Sequence, residues 1–212
     1  MKIAVVTEAS TAAKNKAVID ALHAVCKNHD VYNAGMKGEA GETQLLIYET
    51  GFLSALLLNL KCVDFVVGGC GTGQGYFNCA VQFPGVTCGL ILETVDAWVY
   101  PRINAGNCVS LALNKGYGWA AEKNLEFIFE KLFSADFGAG YPAERREPQK
   151  KIREKLALVS ECAHKDFAEI IRTIDAEIFE NVTRFPGVLD FIKTHAKEKG
   201  GAYQALLERS GA

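Results

Sequence analysis

No stretch of this chain approaches the roughly 18 consecutive apolar residues that a membrane-spanning helix requires. The apolar opening Met1-Lys2-Ile3-Ala4-Val5-Val6 meets the polar Thr7-Glu8 at once, too short a run for the core of a signal peptide. A cytoplasmic protein with no membrane partner is the expectation. Charge of one sign is also missing, because 23 Lys and Arg stand against 25 Asp and Glu, a net charge of -2. That balance creates no field able to recruit nucleic acid, so any anionic ligand must be held by local groups. The seven cysteines, Cys26, Cys62, Cys70, Cys79, Cys88, Cys108 and Cys162, never fall into Cys-x-x-Cys and are odd in number. The pattern argues against a zinc site and against a disulfide framework. The four histidines, His23, His29, His164 and His195, carry no partner motif, and spacing suggests no Cys/His nucleophile pair. There is no internal repeat and no low-complexity segment.

What is present is a chain of 212 residues, 49% of them hydrophobic, enough for a full core in one catalytic unit with an appendage. Lys2 to Thr7 reads as a strand, and Ala12 to Lys27 as a helix with Val18, Ala21, Leu22 and Val25 on one face. Tyr48 to Leu60 has the Leu/Ala content of a buried helix, and Val63 to Val67 reads as a buried strand running into a glycine loop. Helix Gly73 to Gln82, strand Val86 to Leu92, strand Cys108 to Leu113 and helix Gly118 to Phe133 follow. This alternation predicts an α/β fold, a doubly wound, Rossmann-like parallel sheet with helices on both faces. Trp98, Trp119, Tyr117 and Phe133 have the spacing of core residues. Residues 1–142 form the expected core. From Ala143 a charge-rich break, Glu144 to Lys151, leads to helical patterns over Ile152 to Ile178 and Leu189 to Leu207, so 143–212 is read as a helical C-terminal extension docked on the core or on a partner subunit.

Ligands of such a sheet sit at the carboxyl ends of its strands. Three segments fall there: Thr7-Glu8, the loop Gly69-Cys70-Gly71-Thr72-Gly73-Gln74-Gly75, and Glu93 to Asp96. The loop has neither the spacing of Gly-x-Gly-x-x-Gly nor the Lys of a Walker motif. It is a nest of backbone N–H groups carrying a thiol. A Cys at a strand end, ahead of a helix N-terminus, has its thiolate favoured. It is suited to take a proton from a carbon beside a carbonyl, with the amides of Gly71 to Gly75 receiving the oxyanion. The bland alternative is a tight turn in which Cys70 is merely small. Arg145 and Arg146 could grip a phosphate bidentately, although a solvated charge run is the commoner meaning of such a segment.

Met1-Lys2-Ile3-Ala4 opening a strand, Cys-Gly-Thr-Gly-x-Gly at 70–75, and Asn104-Ala105-Gly106-Asn107-Cys108-Val109 resemble the type B ribose-5-phosphate isomerase and galactose-6-phosphate isomerase family over residues 1 to 152. The extension has no counterpart in its ordinary members and suggests a longer branch. The resemblance implies that Cys70 moves the proton between C1 and C2 and that Thr72 handles protons at the sugar oxygens. It implies that Gly71, Gly73 and Gly75 hold the oxyanion, and that Asn104 and Asn107 border the substrate. Glu8 stands where the family has Asp, and Arg145 and Arg146 occupy the stretch that binds phosphate, some of it from a neighbouring subunit. The family's two histidines are Ala9 and Ile103 here. Either another group, such as Glu8 or Asp96, then opens the sugar ring, or the substrate is already open-chain or differs from ribose 5-phosphate. The expected activity is aldose-ketose isomerisation of a small phosphorylated sugar through an enediolate, needing neither metal nor nucleotide, in a homodimer or dimer of dimers with shared sites. A non-catalytic sugar-phosphate-binding protein and a Cys-dependent hydrolase are the rival readings.

Overall fold

The computed structural model describes residues 1–212. Five strands, β1 (Lys2–Thr7), β2 (Asp30–Asn33), β3 (Phe65–Cys70), β4 (Cys88–Ile91) and β5 (Cys108–Ala112), form one wholly parallel sheet in the order β2-β1-β3-β5-β4. Alternation along the strands divides the interior in two. From β1, Ile3 and Val5 face α1 (Asn15–Val25), α4 (Thr94–Ile103) and α5 (Ala121–Leu132), packing with Val18, Leu22, Leu125 and Phe129. Ala4 and Val6 face α2 (Ile47–Asn59) and α3 (Gln74–Ala80).

Two elements lie outside the sequence expectation. β2 is a four-residue edge strand, half-exposed and without a clear apolar alternation. α4 has Pro101 inside it and no pronounced apolar stripe, which is why the sequence gives no helix there and marks Glu93 to Asp96 only as a strand-end segment. A 3-10 turn, Ala9–Lys14, precedes α1.

The extension is helical throughout, but its divisions differ from the reading above. Glu144 to Lys151 is no break: Arg146 begins α6 (Arg146–Ala163), and Pro148 lies in its first turn, where no intrahelical N–H is needed. The run Ile152 to Ile178 splits into α6, α7 (Phe167–Thr173) and α8 (Ala176–Thr183), because Asp166 and Asp175 cap new helices, accepting from the N–H groups of Ala168 and of Glu177 and Ile178. α9 (Val188–His195) and α10 (Gly201–Ser210) complete it. α7 to α10 fold onto the outer side of α2, where Ile171, Phe179, Val182, Ile192 and Leu206 join Phe52, Leu53 and Leu56 in one core. α2 is consequently buried all round from Glu49 to Leu58, which is what its apolar composition requires. α6 behaves otherwise: of its side chains only Gln149 is buried, and Ile152, Leu156, Leu158 and Val159 are 57 to 60% exposed.

Trp119 corrects the core assignment. It is fully exposed, in the loop after β5 between Gly118 and Ala120. Trp98, Tyr117 and Phe133 are half-buried, with Tyr117 beneath the Lys14 ammonium at 4.3 Å.

Candidate active site

The parallel register brings Thr7 opposite Gly69 and Cys70 opposite Ala112, so the chain leaves β1, β3 and β5 side by side at their carboxyl ends. Several glycines from the end of β3 to the start of α3 are fixed by their surroundings. A Cβ on Gly68 would enter the Tyr76 ring at 2.1 Å, and one on Gly69 would meet the Leu111 carbonyl at 2.5 Å. Gly73 has φ +78, and a Cβ there would stand 2.7 Å from Leu90 Cδ1. A Cβ on Gly75 would lie 3.5 Å from the Cys70 sulfur and 3.1 Å from Ile47 Cδ1, so the thiol sits against the start of α3 and the wall made by α2.

The N–H groups of Gly71, Thr72 and Gly75 donate to no other group of the chain, while that of Gln74 is taken by Thr72 Oγ1 at 3.3 Å. Three donors therefore stand beside one buried thiol. Cys70 is distinguished from its fellow cysteines by place: burial pushes the Cys26 thiol up to about 11 and that of Cys62 to about 12, and Cys88 is raised by its hydrogen bond with Cys108 and by burial. Those three are inert packing groups.

Across from the thiol, Glu8 is 3% exposed and accepts three hydrogen bonds, from Ser10 N–H at 2.8 Å, Ser10 Oγ at 2.5 Å and Thr11 Oγ1 at 3.0 Å. Asn114, after β5, donates to the Ser10 carbonyl at 3.2 Å and through its own N–H to the Gly71 carbonyl at 3.0 Å. It ties the three strand-end loops together. Sequence reasoning missed Ser10, Thr11 and Asn114. A hydroxyl two residues after a strand-end carboxylate was the available signal for Ser10; Asn114 offered none, since its neighbours come from strands distant in the sequence.

Cys70, Thr72, Gly71, Gly73, Gly75 and Glu8 thus come together, and the other expected residues do not join them within one chain. Asp96 binds the N–H groups of Leu92 and Glu93 at 2.9 and 3.2 Å, a cap of α4 beyond β5. Asn107 precedes β5, five residues before the Ala112 that faces Cys70, which at about 3.3 Å per residue leaves roughly 16 Å between them. Its side chain bonds Thr87 N–H and the Gly85 carbonyl, and Asn104 caps the carboxyl end of α4. Arg145 and Arg146 lie at that same end: Gly140, which packs on Arg146, donates to the Arg102 carbonyl, and Arg153 of α6 donates to the Ile103 carbonyl at 2.8 Å. One chain carries a thiol half at the carboxyl end of the sheet and an Asn/Arg half at the amino end. His29 and His195 are also at the amino end, beside Met1 and Lys2.

A parallel α/β sheet whose strand ends bring together a thiol, unpaired amides and a buried carboxylate is a frame suited to acid-base chemistry on a small ligand. Residues 3–148 match the family profile described as Ribose/Galactose Isomerase, and the chain belongs to that family. A solved 4-deoxy-L-threo-5-hexosulose-uronate ketol-isomerase, complexed with a tartrate, is 34% identical, with both chains covered at 100% and a TM-score of 0.96. A ribose-5-phosphate isomerase from Vibrio parahaemolyticus is 41% identical, with both chains covered at 97% and a TM-score of 0.91. A type B ribose 5-phosphate isomerase from Trypanosoma cruzi, 18% identical, shares the fold at a TM-score of 0.65, covering 76% of this chain and 99% of its own. Comparison with curated proteins returns no match. The chain is a sugar isomerase, and its C-terminal extension is spanned by the first two relatives.

Proposed function

We propose that this isomerase interconverts an aldose and a ketose of a small anionic sugar, with Cys70 carrying the proton between C1 and C2 through an enediolate. The observation that carries the reading is the thiol beside the unpaired N–H groups of Gly71, Thr72 and Gly75. In the forward step the Cys70 thiolate removes the C2 proton, the C1=C2 bond forms, and the carbonyl electrons move to O1, where the amides receive the charge. Protonation at C1 by the same thiol completes the transfer.

The anionic end is proposed to meet Arg145 and Arg146, with Asn104 and Asn107 bordering the sugar. These residues lie at the other end of the sheet, so the reading requires a second copy of the chain whose Asn/Arg half closes the thiol half. A two-fold pair forms two such sites at once.

A phosphorylated sugar remains the first substrate class, in keeping with the family and the Vibrio relative. A sugar acid is the second, and one observation favours it: Ala9 and Ile103 supply no ring-opening histidine, which suits an open-chain substrate such as the hexosulose uronate of the full-length relative. Incubation of the protein in deuterated water with ribose 5-phosphate, galactose 6-phosphate and 4-deoxy-L-threo-5-hexosulose uronate tests the proposal. Deuterium entering C2 of one of them identifies chemistry and substrate together; turnover without deuterium uptake at C1 or C2 would favour a hydride shift and remove Cys70 from the reaction.

A further inference from the structure

We propose that Ser10 is a catalytic hydroxyl of this enzyme, relaying protons between the two reacting oxygens of the sugar and the buried carboxylate of Glu8. The inference rests on the enediolate reading above and assigns the half of the reaction that Cys70 leaves undone. Aldose-ketose conversion moves two protons: one from C2 to C1, and one from O2 to O1. The thiol accounts for the first.

The second needs a hydroxyl-level acid and base in the same cleft. Glu8 is nearly sealed from solvent, whereas Ser10 is exposed. The Ser10 hydroxyl donates to Glu8 Oε1 at 2.5 Å, and a Cβ on Gly71 would lie 3.9 Å from Ser10 Oγ. The hydroxyl therefore spans from the carboxylate to the edge of the amide nest, and Asn114 holds the Ser10 backbone there at 3.2 Å. Thr72, the hydroxyl of the glycine loop, accepts the Gln74 N–H and has no hydrogen-bonded carboxylate behind it to take a proton. Thr11 also donates to Glu8, but it is buried.

The step balances without any further reagent. With O1 held as the alkoxide by the amides, the O2–H bond breaks: its proton passes to Ser10 Oγ, and the Ser10 proton passes to Glu8. The O2–H electrons become the C2=O2 bond, and the C1=C2 electrons take the proton from the Cys70 thiol at C1. The proton on Glu8 returns through Ser10 to O1, regenerating carboxylate, hydroxyl and thiolate.

Ser10→Ala separates this from a capping role, because enediolate formation and return at C2 do not require the relay while completion does. With the probe sugar that the parent enzyme turns over, net isomerisation by Ser10→Ala should fall by about 10² or more, the scale of a lost acid-base group. Deuterium exchange at C2 of the recovered aldose should stay near the parent rate. Ser10→Thr should restore isomerisation, and Glu8→Gln should reproduce the Ser10→Ala split. A fall of exchange and isomerisation in the same proportion, or no fall in either, overturns the relay while leaving Cys70 as base. Absence of C2 exchange in the parent enzyme overturns the isomerase mechanism and the relay with it.

Discussion

Cys70 and Gly73 show how differently one loop uses its residues. Replacing the thiol by a hydroxyl leaves the amide nest intact and removes the proposed base, since serine is far too weakly acidic to supply an alkoxide. Cys70→Ser should therefore lose about 10² to 10⁴ in turnover while still binding the sugar, as single-turnover rates and calorimetric titration would report. Gly73→Ala fails for another reason: φ +78 disfavours an L-residue, and the new methyl would press on Leu90. A loss of more than about 1 kcal/mol of stability is expected in urea unfolding. The buried thiols add a pH dependence. Cys26 and Cys62 ionise at 9.0 when unfolded and only at about 11 and about 12 in the fold, so the unfolded chain holds fewer protons above pH 9. Stability present below pH 9 should decline from there toward pH 12 in denaturant titrations. Glu8 was legible as a strand-end carboxylate; of its donors Ser10 left only its spacing as a signal, because a turn as short as Ala9–Lys14 leaves no periodic trace.

At the scale of elements, α2 is the joint between core and extension. Its buried Glu49 accepts the Leu46 N–H and, in the same cap, the Asn181 amide of α8. α8 thus braces the helix whose Ile47 stands beside Gly75 and, through it, the Cys70 thiol. Asn181→Leu would strip a donor from a buried carboxylate, a loss of about 1–3 kcal/mol. Equilibrium unfolding would read this directly, and a larger effect on activity than surface controls at equal stability would show the bracing to matter for the site. The sequence made α2 recognisable as a buried helix. It could not say that helices more than a hundred residues later supply its other side.

At the scale of the whole molecule, two features accord with the proposed second copy: the separated halves of the proposed site, and the apolar side chains of α6. Ile152, Leu156 and Val159 fall at a four- and three-residue spacing and so share one face of that helix. Ile152→Asp with Leu156→Asp should yield a smaller species in light scattering, with activity lost if sites are shared. Mixing Cys70→Ser chains with Arg145→Ala,Arg146→Ala chains is expected to recover activity, because one site of the mixed pair regains both halves. No recovery after verified subunit exchange would confine the site to one chain.

The sequence by itself determined what depends on near neighbours: the alternation that splits Ile3 and Val5 from Ala4 and Val6, the helical stripes of α1 and α5, and the run of glycines around Cys70. Those are local periodicities and composition. Only the tertiary structure decided that β5 lies between β3 and β4, which sets Asn114 against Gly71 and sends Asn107 to the far end of the sheet. It likewise decided that α7 to α10 cover α2 while α6 stays bare. Strand order and helix docking are settled by contacts between segments far apart in the chain, and a local pattern, identical for every arrangement that buries the same faces, cannot choose among them.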